Sequence, residues 1–350
     1  MYDVIGDIHG HAGALQGLLR DLGYRERNGA WRYPGSRRKV LFVGDFLDRG
    51  PEIRMTLEIV RAMVEADSAS AVMGNHEYNA LIWHTPDGNG GWLRSHTATH
   101  LAQHRATLEQ YGLDPDSPRG RRGVFDTTSA AKSGYGGGGR GAHLLREELR
   151  WLRALPLYLE TAQLRVVHAA WEGEAAATAH ESNGADTGAP TPLLDDTFLH
   201  RSACGQFRES RAVEVLLKGI EIALPEGASY LDKEGTRRHR TRIRWWLDPS
   251  APITTMAELA MPPADRKLGH LPITTRQRAK LPGYHGELPV FVGHYWFTGS
   301  PAPVTPHVAC LDYSVARGGL LCAYRFDGDP DLSPEQFVAV DTDGRRVTKR

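Results

Sequence analysis

The sequence predicts an α/β fold with parallel strands, and three observations predict it. "YDVIGD" (2–7) and "KVLFVGD" (39–45) are short apolar runs ending in Gly-Asp, the mark of buried parallel strands whose carboxyl ends carry an acid. "GALQGLLRDLG" (13–23) and "EIRMTLEIVRAMVEA" (52–66) follow with helical periodicity, the second just after Pro51, a favourable first-turn residue. "SAVMGNHEYNALIW" (70–83) repeats strand, loop and helix. In open α/β sheets, sites gather at the carboxyl ends of the strands, so three loops bearing acids and histidines face one rim.

The remaining elements are less regular. "GWLRSHTATHLAQHRATLEQYG" (91–112) and "AHLLREELRWLRALP" (142–156) read as helices. "LRVVHAAW" (164–171) and "LPVFVGHYWF" (288–297) read as strands that each reach a histidine, and "RRHRTRIRWWLDP" (237–249) as a basic strand. "SGYGGGGRG" (133–141) reads as a flexible linker, because it lacks the Lys-Ser/Thr ending of a phosphate loop. Residues 172–200 have no periodicity and read as a surface loop. "HVACLDYS" (307–314) and "GGLLCAYRFDG" (318–328) read as a closing antiparallel pair.

Composition excludes several function classes. At 350 residues and 41% hydrophobic content, a sizeable core can form. Lys+Arg and Asp+Glu are both 42, so no overall field holds nucleic acid or an anionic membrane, and stable nucleic-acid binding is not expected. Three scattered cysteines (Cys204, Cys310, Cys322) fit reduced thiols rather than a disulfide framework or a Cys-rich zinc site. No apolar run approaches the roughly 20 residues of a membrane span, and strand-like sequence directly after Met1 leaves no room for a signal peptide. These features predict a cytoplasmic protein; nothing in them fixes an oligomeric state.

The polar residues at the strand ends are Asp7 and His9; Asp45, Asp48 and Arg49; Asn75, His76 and Glu77; His168; and His294. They are hard-oxygen and imidazole donors without a thiolate, a set that suits Mn, Fe or Zn. One carboxylate shared between two ions is the economical way to hold a metal pair about 3.5–4 Å apart.

"GDIHG" (6–10), "GDFLDRG" (44–50) and "GNHE" (74–77) resemble the three signature blocks of the phosphoprotein phosphatase family, within the calcineurin-like metallophosphoesterases. "TLEQYG" (107–112), "WLRALPLYLE" (151–160), "VVHAA" (166–170), "WWLDP" (245–249), "VGH" (292–294) and "LDYSVARGG" (311–319) extend the resemblance in order, on the side of the bacterial members. It implies a four-layer α/β/β/α sandwich with two central mixed sheets. One such domain would occupy residues 1–328, with extended middle segments at about 113–142 and 172–240 and a peripheral tail at 329–350.

Position by position, the resemblance implies one divalent metal on Asp7, His9 and Asp45. A second would sit on Asp45, Asn75, His168 and His294, with Asp45 bridging and Mn2+ the first candidate. Arg49 would grip the phosphate by a forked, charge-assisted contact, with Asn75 beside it. His76 would protonate the leaving oxygen, oriented by Asp48. The implied reaction is in-line attack by a metal-bridging hydroxide without a phosphoenzyme. A second phosphate-binding arginine has no motif here; Arg266, between "WWLDP" and "VGH", is the candidate by position.

Taken singly, Asp7 and Asp45 read as helix caps, Asn75 as a turn residue, and His168 and His294 as core histidines. Independent caps and turns give no reason for Asp, His, Asn and Arg to recur at successive strand ends in this order. Glu77 reads as loop support. His96, His100 and His104 at i, i+4, i+8 suggest a zinc site, but no carboxylate or thiol accompanies them, and a packed or solvated helix face is the better reading. Arg238, Arg240, Arg242 and Arg244 alternate, as either a solubilised edge strand or a phosphate-gripping wall.

The expected function is therefore a dinuclear-metal phosphoesterase, with a serine/threonine-phosphatase-like phosphomonoesterase first. A dinucleoside polyphosphate hydrolase or nucleotide or RNA phosphatase is the alternative. A silent phosphate-binding module comes last, because all the ligands and the acid His76 are present. The expected partner is a phosphorylated substrate, protein or nucleotide.

Overall fold

A computed structural model describes residues 1–35, 37–117, 139–182, 194–231, 237–261 and 266–347. In chain order the core elements are β1 (Tyr2–Ile5), α1 (Ala12–Asp21), β2 (Lys39–Phe42), α2 (Ile53–Glu65), β3 (Ala69–Ala71), α3 (Asn75–His84), α4 (Ala98–Gln110) and α5 (Arg140–Leu152). They continue with β4 (Tyr158–Glu160), β5 (Arg165–Val167), β6 (Val290–Val292), β7 (Val308–Cys310), β8 (Asp312–Tyr313), β9 (Leu320–Phe326) and β10 (Phe337–Val340).

Two mixed sheets result. The first runs β8-β9-β1-β2-β3, with β10 also paired to β9; β1, β2 and β3 are parallel to one another and β9 is antiparallel to β1. The second runs β7-β6-β5-β4, parallel except for the β4–β5 pair.

Side-chain alternation along the strands builds the layers. Val4, Leu41, Val166 and Phe291 point into a core shared between the two sheets. Their chain neighbours Ile5, Phe42, Val167 and Val292 point outward, into a core shared with the helices. A strand buried on both faces needs an apolar run, which "VLFV" and "VFV" supply; in β1 the buried Asp3 interrupts it and is paired with Arg38 and Arg325. α2 covers its sheet with Ile53, Leu57, Val60 and Met63, spaced at helical intervals. Each such fully buried side chain contributes on the order of 1.5–3 kcal/mol. Pro51 precedes the helix rather than opening it, since Glu52 is the N-cap.

Three sequence expectations need correction. Residues 172–200 hold two helices, Gly173–Ser182 and Asp196–Ala203, around 183–193, which lie outside the described residues. Small buried residues (Ala175, Ala179) and an Asp195 cap that accepts the Phe198 N–H define them, signals weaker than a Leu-rich stripe. Residues 307–326 do not form a simple hairpin. β7 joins the second sheet and β8 the first, so the chain changes layers at Leu311.

The basic stretch splits into two short strands, Arg237–Arg238 and Arg240–Arg242, paired with Tyr230–Leu231 and Glu221–Ala223. Around it, Ile222, Ile243, Met256 and Leu281 make a small core of their own. The expected middle segment 113–142 and the linker at 133–141 fall largely outside the described residues.

Candidate functional site

Five loops meet at one rim, each leaving the carboxyl end of a strand. Asp7 and His9 follow β1; Asp45, Asp48 and Arg49 follow β2; Asn75 and His76 open α3 after β3. His168 follows β5 and His294 follows β6. The Asp45 Oδ2 atom lies 3.5 Å from His9 Nε2 and 3.4 Å from His168 Nε2. Asn75 Oδ1 lies 3.1 Å from His168 Nε2 and 2.7 Å from His294 Nδ1. The His294 N–H donates to Asp7 Oδ2 at 3.0 Å. All six residues predicted as metal ligands are thus brought together. Two donor groups, His9–Asp45–His76 and Asp7–Asp45–His168, each gather within 4.8 Å and share Asp45.

Local backbone geometry aims these side chains. His9, Asp45, Asp48, Arg49, His294 and Trp296 all have positive φ, between 45° and 72°. Such conformations are uncommon outside glycine and cost free energy, so the surrounding structure must hold them. Glu77 supplies part of that hold. Its buried carboxylate accepts the N–H groups of Asp45, Phe46 and Leu47 at 2.7, 2.8 and 3.1 Å, and that of Gly74 at 2.9 Å. The ring nitrogens are sorted in the same way. His9 Nδ1 donates to the Leu47 carbonyl and His168 Nδ1 to the Val43 carbonyl, which turns each Nε2 toward Asp45.

Three features test whether a cation pair fits. Asp7 Oδ1 is buried without a hydrogen-bond partner, a costly state for an acceptor unless something else coordinates it. Gly293 packs so close that a Cβ there would meet this oxygen at 1.9 Å, so only glycine leaves the position clear. The donors are carboxylate, amide oxygen and imidazole; the nearby Cys310 thiol points instead at the Gly293 carbonyl. The set fits two divalent cations sharing Asp45.

Within the cluster the carboxylates and imidazoles set one another's charge. Burial, then the Asp312 carboxylate, push the Asp7 pKa well up. Burial works against the Asp45 carboxylate, but the His168 and His76 imidazoles hold it well below the usual range. Burial disfavours the His168 imidazolium, yet the Asp45 and Asp7 carboxylates lift it to about 10. Burial pushes His9 down to about 3, leaving its Nε2 lone pair free.

His76 stands beside this cluster. Its Nδ1 donates to Asp48 Oδ2 at 2.6 Å, and its Nε2 accepts from Arg49 Nη2 at 3.2 Å. Burial opposes its imidazolium form, but the Asp45 and Asp48 carboxylates outweigh it and raise the pKa. The other Asp48 oxygen is also taken, by His104 Nδ1 at 2.9 Å and Thr107 Oγ1 at 2.6 Å.

Comparison with known proteins gives a matching answer. The model of the calcineurin-like phosphoesterase family matches residues 2–187, just over half the chain. The chain belongs to that family. Bis(5'-nucleosyl)-tetraphosphatase PrpE [asymmetrical] of a Geobacillus species is 46% identical over 74 residues, covering 21% of this chain and 30% of the relative. The protein of that name from Oceanobacillus iheyensis is 39% identical over 74 residues, covering 21% and 29%. The chain thus spans under a third of the length of these curated relatives. A cold-active protein-tyrosine phosphatase of a psychrophilic Shewanella aligns at 14% identity and a TM-score of 0.45, over 100% of this chain and 80% of that one.

In this calcineurin-like phosphoesterase the histidine row is no metal site. His96 precedes α4, stacks on Trp83 at 3.7 Å and meets the Trp83 carbonyl. His100 is half-buried with its Nδ1 on the Ser95 carbonyl, and His104 is buried on Asp48, with His84 Nε2 at 3.1 Å from its other nitrogen. Sequence reading missed His104 as a partner of Asp48, along with Thr107. The signal was there in "HRATLEQ", which puts His104, Thr107 and Gln110 on one face of α4. Gln110 binds the same loop, donating to the Gly50 carbonyl and accepting the Ile53 N–H.

Arg266 opens a short helix, Arg266–Gly269, whose Leu268 packs into the small core of residues 222–281. Its side chain lies outside the described residues. Arg240 and Arg242 both lean on Glu221, at 3.7 and 4.0 Å, so the basic strand is partly neutralised. No described helix is long and apolar enough to cross a membrane.

Proposed function

We propose that this chain hydrolyses phosphoric esters at a centre of two divalent cations, with Asp7, His9, Asp45, Asn75, His168 and His294 as the ligands. The observation that carries the reading is the single Asp45 oxygen standing between His9 Nε2 and His168 Nε2. Bound there, the cations supply Lewis acidity toward the phosphoryl oxygen and activate a water.

The chain's own residues do the rest. Arg49, exposed at the rim, presents a guanidinium fork to the phosphate. In the resting geometry that guanidinium donates to His76 Nε2. When Arg49 turns to the phosphate, Nε2 is released toward the leaving oxygen. Asp48 takes the Nδ1 proton, so the imidazole keeps one orientation and its imidazolium form is favoured, as a general acid requires. Asn75, its amide oxygen between His168 and His294, belongs to both the ligand set and the floor under the phosphate.

The first substrate reading is a phosphomonoester, with phosphoserine or phosphothreonine in proteins. The second is a dinucleoside polyphosphate, supported by the names of the relatives that are 46% and 39% identical over about a fifth of the chain. Parallel Mn2+-dependent phosphate-release assays on a phosphopeptide, diadenosine tetraphosphate and p-nitrophenyl phosphate test the proposal. Turnover of at least one, lost with a chelator, is the expected result. No release from any of the three overturns it.

A further inference from the structure

Beside Arg49 lies a group of residues that the proposed chemistry does not use. Trp296 follows β6 with φ 54°, and its N–H donates to the buried Asp312 carboxylate at 2.7 Å, which fixes the turn. Its indole stacks near the His9 ring, with 6.0 Å between centroids, so it borders the cation cluster. Two guanidiniums lie over this indole: Arg49 at 4.4 Å and Arg317 at 4.0 Å from the ring centroid.

Arg317 comes from a different part of the chain, the short helical turn Val315–Arg317 between β8 and β9, and is exposed. Among the described residues, neither guanidinium has a carboxylate within ion-pair distance; Arg49 bonds only to His76. Burial works against the Arg49 charge; the Asp45 and Asp48 carboxylates support it, each more than the neighbouring Arg317 opposes it. Cation–aromatic contact holds both arginines in place without neutralising them. Among the described residues neither guanidinium is tied up in an ion pair, so the two stand side by side on one ring open to an anion. One phosphate is already served by Arg49 and the cation site, so Arg317 is surplus to a lone monoester. It suits a second phosphate bonded to the first, because a guanidinium fork matches phosphate oxygens in pairs.

We propose that Arg49, Trp296 and Arg317 form a clamp for a phosphoanhydride, Arg317 holding the phosphate next to the one under attack. The substrate class is then a nucleoside polyphosphate or similar chain of phosphates. The clamp rests on the reading of Arg49 as the phosphate-binding residue given above.

The test compares the full chain with Arg317→Ala and Arg317→Lys in two ways. Calorimetry on metal-free protein, with inorganic tripolyphosphate and with orthophosphate, reads binding independently of turnover. With Mn2+ present, kcat/KM is measured on diadenosine tetraphosphate, p-nitrophenyl phosphate and a phosphoserine peptide flanked by aspartates.

The clamp requires Arg317→Ala to weaken tripolyphosphate binding, and to lower the ratio of kcat/KM for diadenosine tetraphosphate over p-nitrophenyl phosphate, each by roughly tenfold. Arg317→Lys, which keeps charge but loses the fork, should fall between. An unchanged ratio together with unchanged tripolyphosphate binding overturns the clamp. So does a selective loss on the acidic phosphopeptide, which would make Arg317 a carboxylate reader. If the parent chain turns over no ester but Arg317→Ala still loses tripolyphosphate binding, the hydrolase reading falls and the clamp stands.

Discussion

Asp48 and His104, 56 residues apart in sequence, meet through a 2.9 Å hydrogen bond in the interior, with the His84 ring edge-on to the histidine. Because Thr107 shares the same carboxylate oxygen, Asp48 cannot rotate without breaking two bonds, and its free oxygen stays on His76. His104→Ala should therefore slow turnover of substrates with poor leaving groups by roughly 10–100-fold, the usual cost of losing an orienting partner. His104→Asn, whose amide can still donate to Asp48, should recover part of it. Loss of stability alone, seen by urea denaturation with equal kinetic losses on all substrates, would refute the orienting role.

His76 itself gives a sharper contrast. His76→Ala should lower turnover of an alkyl phosphate by about a hundredfold or more, within the range of general acid catalysis, and that of p-nitrophenyl phosphate far less. Nitrophenolate leaves without a proton, so the split reports on proton donation. Equal losses on both substrates would contradict it.

A pH profile follows from the same pair. The His76 pKa in the folded chain lies above its ordinary 6.5, because Asp45 and Asp48 outweigh burial. The acid form therefore persists above that pH, and kcat on an alkyl phosphate should fall as pH rises through the raised value. Asp48→Asn removes one of the two carboxylates, so the fall should move to lower pH. A profile that stays in place would mean that Asp48 does not set the charge of His76.

Asp45 joins the two halves of the ligand set. Asp45→Asn should weaken both cations, and by more than the roughly 10–100-fold that loss of an outer partner costs. Elemental analysis of protein dialysed against Mn2+ checks this. Loss of one equivalent, with the other retained at full affinity, would show that Asp45 serves a single ion.

Glu77 carries structure rather than chemistry. Glu77→Ala leaves four backbone N–H groups without their acceptor, three of them in the loop that holds Asp45. The expected cost is at least about 1–3 kcal/mol, read as a lowered urea midpoint. Cation affinity should fall with it. A variant that keeps its midpoint would show that water replaces the carboxylate.

The sequence made the candidate cation ligands legible because each sits just after a buried strand, where an apolar run stops at Gly-Asp, Gly-Asn or a histidine. That punctuation is local. The layers were legible for a related reason: runs such as "VLFV" can be buried only if both faces of their strand are covered. His104, Trp296 and Arg317 were not legible as neighbours of the site. Their roles arise from contacts between segments far apart in the chain, and their types fit a helix face, an aromatic strand end and a surface turn equally well. Arg266 was picked by position between two motifs, and its side chain lies outside the described residues; Arg317, the residue of the proposed clamp, sits in "LDYSVARGG", where its visible sign was a cation before two glycines.

The passage of the chain from one sheet to the other through Leu311 has a mechanical meaning. Asp7, His9, Asp45 and Asn75 hang from the first sheet, while His168 and His294 hang from the second. The two sets meet across the seam between the sheets, and the proposed cation pair would span that seam as a caliper does. At Gly6 the sheets touch so closely that an added methyl would meet the Leu311 carbonyl at 2.1 Å. A wedge driven in there would open the caliper's jaws while leaving every ligand in place.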